Sequence, residues 1–254
     1  MTDSVITRID GPLIIITINR PHARNAIDRA TTLAIAEAVD MLESDDSLRV
    51  GILTGAREHF CAGMDLKAFL NGERVEIEGR GLAGITQTPP RKPLIAAVEG
   101  YALAGGFEIA LACDMIVASK TAKFGLPEVC RGLIAGSGGL VRLPMRIPRQ
   151  IALEYALTGK MMDGATAQHW GLVNRTTDAG GALDGARALA AEITANAPLS
   201  IVATKQIVSS AHEWPAAEVW DRQNAILETV ITSNDATEGA RAFAEKRKPD
   251  WSGS

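Results

Sequence analysis

The stretch that most constrains the fold of this chain runs from Leu94 to Asp114. Pro89, Pro90 and Pro93 punctuate its entry, and LIAAV follows as an apolar run of strand length. Glycines stand at 105 and 106, and an Ala-, Ile- and Leu-rich helical pattern closes at Asp114. The order predicts a buried strand, a tight turn and a helix start. The first turn of a helix has backbone N–H groups without an intrahelical partner, and glycine there lets another molecule approach the backbone. Glu108 follows Gly105 by three positions, about one helical turn along, among apolar neighbours. Such a place suits a developing negative charge with an acid beside it. It equally suits tight packing, with Glu108 answering the helix dipole.

Upstream, the β-branched runs Val5–Ile9 and Leu13–Asn19 flank Asp10, Gly11 and Pro12 and predict a hairpin. Asp28 is placed to cap a helix through Ile35, Val39 and Leu42, and Arg49–Thr54 predicts a strand. His59–Lys67, HFCAGMDLK, is another glycine turn, with Asp65 as a helix cap. Asn71–Arg91 is polar and weakly periodic, which predicts a mobile helix and loop.

Downstream, Met115–Ala118 and Leu172–Asn174 predict strands, Thr121–Glu128 another turn, and Gly132–Gly139 a glycine-rich turn into a helix over Leu140–Met145. Short helices are predicted over Ile151–Thr158 and Gly164–Trp170. Beyond Asp178 come four helical patterns without a strand, Ala182–Asn196, Leu199–Ser210, Ala216–Ile231 and Asp235–Lys248. Their surplus of apolar positions implies packing on the core or on another subunit.

A chain of 254 residues allows one large domain, or a core with a smaller appendage. A formal net charge of −4 gives no support to a nucleic-acid or anionic-membrane role. Three cysteines without a CxxC pair argue against a disulfide framework and for a reducing, cytoplasmic setting. The four histidines lack ligand spacing, so no metal is expected. Met1–Ile9 carries no long apolar run, and no segment approaches the roughly 18 apolar residues of a membrane span.

Three turns at strand ends each bring a glycine and an acid: Gly63 with Asp65, Gly105 with Glu108, and Gly125 with Glu128. Taken as a residue alone, Glu128 is a surface acid behind Pro127. Other signals fall short of known motifs. Gly136–Gly139 lacks the glycine of a nucleophile elbow, Thr158-Gly159-Lys160 lacks a phosphate loop, and the glycine pair lacks the third glycine of a dinucleotide fingerprint.

RPHARNAID, FCAGMDLK, GYALAGGFEIALACD, FGLPEVCRGLIAGSGG, ALTGKMMDGATAQHWGLVNR and EGARAFAEKRKPDW together resemble, in order and spacing, the crotonase family, the enoyl-CoA hydratase/isomerase superfamily. The resemblance spans nearly the whole chain. It implies an α/β fold, a crotonase-type spiral of repeated β-β-α turns, with residues 1–195 as the acyl-CoA-binding core and 196–254 as a helical trimerisation region. Homotrimers, or hexamers made as dimers of trimers, would follow. The implied substrate is an acyl-CoA thioester, and no cofactor is required.

By matching positions, the resemblance makes Met64 and Gly105 backbone donors to the thioester oxyanion and Glu108 and Glu128 the catalytic carboxyls, with Gly136 orienting the pair or its water. Arg24, Ala62, Asp65, Leu66 and Lys67 fall on the CoA and thioester side. Phe243 and Lys246 would meet a neighbouring subunit's CoA. Two acids imply hydration of a 2-enoyl-CoA; dehydration of a carnitinyl-type substrate, double-bond isomerisation, and a non-catalytic acyl-CoA-binding or RNA-associated role remain the alternatives. Ala104 replaces a common glycine, Phe107 a smaller residue and Leu126 a frequent glutamine. AGGFE, LPE and RLP lie nearer the carnitinyl-CoA dehydratase branch, and Phe107 and Leu126 are expected to narrow the acyl pocket.

Overall fold

The structure, a computed structural model, describes residues 3–254; Met1 and Thr2, the start of the polar N-terminal stretch, lie outside the described residues. β1 (Val5–Asp10) and β2 (Leu13–Ile18) form the expected antiparallel hairpin, with Asp10 opposite Leu13. α1 (Arg29–Ser44) follows, capped by Asp28, whose carboxylate accepts the Thr31 N–H at 2.8 Å. β3 (Val50–Gly55) then pairs parallel with β2. α2 (Leu66–Leu70) is short and is capped by Asp65.

β4 (Leu94–Val98) lies parallel between β3 and β6 (Met115–Ser119). After β4 comes β5 (Tyr101–Leu103) and then α3 (Gly105–Ala112); after β6 comes β7 (Lys123–Gly125). Each such turn of the chain thus gives one strand to a six-stranded sheet, in which β1, β2, β3, β4 and β6 lie side by side in that order, and one to a three-stranded sheet. α4 (Gly139–Arg146) and α5 (Arg149–Thr158) lead to β8 (Met162–Asp163), which pairs with β7. α6 (Gly164–His169) precedes β9 (Arg175–Thr177), the last strand of the large sheet.

The large sheet is covered on both faces, which is why its strands are continuous apolar runs. Ile14, Ile16, Leu53, Ala96, Val98 and Ile116 pack to the side of α1 and α3. The alternate residues Ile15, Ile52, Ile95, Ala97 and Val117 pack with Ala182, Ala186, Leu189 and Ala190 of α7 (Ala182–Thr194). α8 (Pro198–Ser210), α9 (Val219–Ile231) and α10 (Asn234–Glu245) close the chain without a strand. Lys205 of α8 reaches Asp114 Oδ2 at 2.6 Å, and that carboxylate also accepts the Leu94 N–H at 2.8 Å.

Three expectations are corrected. Leu172–Asn174 is not a strand. The Leu172 N–H turns back to Ala167 O at 2.9 Å, and the Asn174 side chain caps the edge of β6 by accepting the Ile116 N–H, so the strand starts at Arg175. Asn71–Arg91 holds no α-helix, only a 3-10 turn at Leu82–Gly84, and its Val75 side chain is buried. The last helix ends at Glu245 rather than Lys248, because Lys246 takes a left-handed conformation with φ 54°.

Candidate active site

Two turns from separate strands come together at the start of α3. Cys61 N–H donates to Tyr101 O at 2.8 Å and Leu103 N–H to Cys61 O at 3.0 Å, so residues 61–63 run alongside β5. On the other side, Ile27 N–H donates to Gly63 O and Asp65 N–H to Ile27 O, both at 2.8 Å, which fixes the peptides flanking Met64. Among the described residues, neither the Met64 nor the Gly105 N–H has a protein acceptor. They are neighbours: a Cβ placed on Gly105 would lie 3.5 Å from Met64 N and 2.6 Å from Leu82 Cδ2. At Gly106 a Cβ would meet Cys61 O at 2.2 Å, so α3 seats against this strand only with bare Cα atoms. Ala104 starts the helix at φ 51°, ψ −129°, a conformation costly for any residue with a Cβ.

All eight residues of α3 are buried, and Glu108 is the charged one among them. Its Oε1 accepts two backbone N–H groups, from Ser137 at 2.7 Å and from Gly139 at 2.9 Å. Gly136, expected to orient the glutamates, donates to neither carboxylate and is exposed. Burial pushes the Glu108 carboxyl above the usual glutamate range; the Gly139 and Ser137 N–H groups oppose this, and the charges of Glu128 and Glu76 add to it. The net direction is upward.

Glu128 sits in the 3-10 turn Pro127–Arg131 that follows β7. It is not a surface acid. Its Oε2 is buried without a hydrogen-bond partner, and burial raises its pKa against the pull of its own backbone N–H and of Arg131. Its charge adds to the upward shift of Glu108. Leu126 is 3% exposed, with Cδ1 3.2 Å from where a Cβ of Gly139 would stand, and so it borders Glu108. Phe107, expected to narrow the pocket, is instead fully buried against Phe124, the ring centroids 5.5 Å apart.

Three further groups, Ser137, Gly139 and Arg142, carry no motif that would have singled them out. The two N–H donors belong to a turn whose sequence shows only flexibility. Arg142 is half-buried on α4 and hydrogen-bonds Thr86 O at 2.5 Å. Burial lowers its pKa, while the Glu108 carboxylate holds it up.

The residues expected on the CoA side fall into one region, apart from two. Ala62 N–H donates to Arg24 O at 3.0 Å, and Arg24 is exposed with φ 51°. Buried Asn25, which the sequence did not single out, ties this loop down through Ala56 O at 2.9 Å and His59 O at 2.6 Å. Pro21, His22, Arg24, Arg57 and His59 line a cleft of about 590 Å³ there. Asp65 is held by Arg20 Nη2 at 2.9 Å, and that same nitrogen is 2.9 Å from Asp28; Leu66 and Lys67 beside it are exposed. Phe243, 87% exposed, and exposed Lys246 lie instead at the end of α10, which packs on α9.

The profile of the enoyl-CoA hydratase/isomerase family matches residues 8–254. The chain belongs to that family. Its relatives in the enoyl-CoA hydratase/isomerase family include a carnitinyl-CoA dehydratase of Salmonella enteritidis, 43% identical over 261 residues, with each chain fully covered. A crystal structure of an enoyl-CoA hydratase from Mycobacterium marinum superposes with a TM-score of 0.98 at 55% identity, covering 100% of both chains. A carnitinyl-CoA hydratase from Mycobacterium avium gives 0.80 at 42%, again with full coverage. The mixed α/β architecture of this family member is therefore the crotonase fold.

Proposed function

We propose that the chain is an enoyl-CoA hydratase, adding water syn across the 2,3-double bond of a 2-enoyl-CoA in equilibrium with the 3-hydroxyacyl-CoA. The observation that carries this reading is the contrast in hydrogen bonding between the two carboxyls. Burial favours the proton on both; at Glu108 two N–H groups offset this in favour of the ionised form, whereas the Glu128 Oε2 has no such donor.

Glu108 then acts as base. It takes a proton from water as the water oxygen bonds to C3, and Glu128 gives its proton to C2. The electron pair of the double bond passes through the thioester enolate, whose oxygen is held by the Met64 and Gly105 N–H groups. Removing one such donor typically costs about 3 kcal/mol of barrier. Proton return from Glu108 to Glu128 resets the pair, and no cofactor takes part. Gly136 remains a candidate for orienting the water.

Arg24, Ala62, Asp65, Leu66 and Lys67 would hold the CoA and thioester. The exposed apolar groups Val208, Trp220, Leu227 and Ile231 support residues 196–254 as the oligomerisation region of a homotrimer or dimer of trimers, and residues 1–195 as the acyl-CoA core. In that assembly Phe243 and Lys246 would meet a neighbour's CoA. The cysteine usage supports a cytoplasmic setting.

Dehydration of carnitinyl-CoA is the second reading, favoured by the full-length relatives of that name. It uses the same two carboxyls in reverse. A panel of 2-enoyl-CoAs varied in length and branching, including crotonobetainyl-CoA, scored by kcat/KM, separates the two, since that ratio reports transition-state discrimination. Preference for crotonobetainyl-CoA selects the second reading. Acyl-CoA binding by thermal shift without turnover of any member overturns both.

A further inference from the structure

Ser137 donates in two directions. Its N–H goes to Glu108 Oε1 at 2.7 Å, and its Oγ–H goes to Glu76 Oε1 at 2.8 Å. The turn that carries it has glycine on both sides, Gly136 and Gly138, the latter at φ 99°, so its own sequence leaves the peptide orientation free. The tie to Glu76 restricts it from outside. Glu76 is exposed, but its backbone is held: Val75 beside it is 5% exposed in the core, and the Arg29 guanidinium at the start of α1 donates to the Glu76 backbone oxygen. A hydrogen-bonded path therefore runs from α1 through Glu76 and Ser137 to Glu108.

We propose that Glu76 is a positioning residue for Glu108, acting through Ser137 to hold the two N–H donors of the 136–139 turn in place. The proposal rests on the reading of Glu108 as the working base. Three charged groups act on that carboxyl from the elements around it: Glu128 from the turn after β7, Glu76 from the segment after α2, and Arg142 from α4. Glu76 thus affects both the seat and the charge of Glu108, and two substitutions separate these effects. Glu76→Ala removes both, whereas Glu76→Gln keeps an acceptor for the Ser137 hydroxyl and removes the charge.

The test uses the whole chain with Glu76→Ala, Glu76→Gln, Ser137→Ala and the Glu76→Ala/Ser137→Ala double variant, on whichever enoyl-CoA the parent hydrates. Glu76→Ala and Ser137→Ala each lower kcat about tenfold with KM within about twofold, the size of a displaced rather than a deleted catalytic group. The double variant is no slower than the slower single variant. Glu76→Gln restores most of kcat and moves the acid limb of the pH profile to lower pH, because a negative charge near Glu108 is gone. Parental kcat and pH profile in Glu76→Ala, or multiplying losses in the double variant, would overturn the link. A titration of the 13C-labelled Glu108 carboxyl, assigned with Glu108→Gln, reads the same link without turnover. Both Glu76 variants lose the same charge and only Glu76→Ala loses the Ser137 tie, so the midpoint in Glu76→Ala lies above that in Glu76→Gln if the link exists, and equal midpoints reject it even where the hydratase reading fails.

Discussion

The Oε1 atom of Glu108 lies 2.9 Å from the backbone nitrogen of Gly139, and a Cβ placed on Gly139 would stand 2.9 Å from Glu108 Cγ. The hydrogen bond and the bare Cα are one arrangement, since the carboxylate reaches this N–H only across a glycine. Gly139→Ala is expected to push Glu108 from its seat and lower kcat about 10²-fold, the scale of a misplaced reacting group, with the far-UV spectrum unchanged. Steady-state kinetics checks this, and parental kcat would show that Glu108 does not need the Gly139 N–H.

Ala104 holds φ 51° and ψ −129° at the entry to α3, where a glycine would carry no Cβ penalty. Ala104→Gly is expected to stabilise the fold by about 1 kcal/mol through release of that strain. Ala104→Val should destabilise it. Urea unfolding of the pair gives both signs.

One guanidinium nitrogen of Arg20 lies 2.9 Å from both Asp28 and Asp65, and all three side chains are mostly shielded from water, at 14%, 21% and 16% exposed. Arg20→Ala leaves two carboxylates without their cation and is expected to cost about 3 kcal/mol in denaturant unfolding. Burial raises the Asp65 pKa, but its bonds to Arg20 and to the Ala68 and Lys67 N–H groups outweigh that and lower it overall. A lowered folded pKa stabilises the fold above the unfolded value and loses that contribution as pH falls through the folded one. The parent should therefore lose more stability than Arg20→Ala on acidification below the ordinary aspartate value of 3.8.

Glu128 works in the opposite sense. Burial raises its folded pKa, so its contribution to stability is full below the ordinary glutamate value of 4.5 and is lost as pH rises through the folded value. Glu128→Gln removes this loss. Melting curves from pH 4.5 upward should show the variant gaining on the parent as pH rises, reaching a higher Tm at neutral pH. A constant difference in Tm across the range would contradict the raised pKa.

Local chemistry made the long elements legible in the sequence. The hairpin at Asp10–Leu13 and the caps Asp28 and Asp65 each rest on a few adjacent residues, and their bonds are present as expected. β5, β7 and β8 were not legible, being three, three and two residues long and formed by pairing with distant partners. Glu108 stood out because an acid interrupts an apolar helix. Ser137 and Gly139 did not, because a donating N–H belongs to any residue but proline and only the folded turn aims it. Glu76 was one acid among several in a polar stretch, and its hold on Ser137 depends on a contact across 61 positions of sequence.

The most direct measurement of the central claim is kcat/KM for hydration of the best 2-enoyl-CoA by the parent, Glu108→Gln, Glu128→Gln and the double variant, followed by loss of enoyl absorbance. Two carboxyls acting as one acid–base pair predict losses of about 10²–10⁴ in each single variant, with the double variant far short of the product of the two. Full activity retained in both single variants would contradict the account.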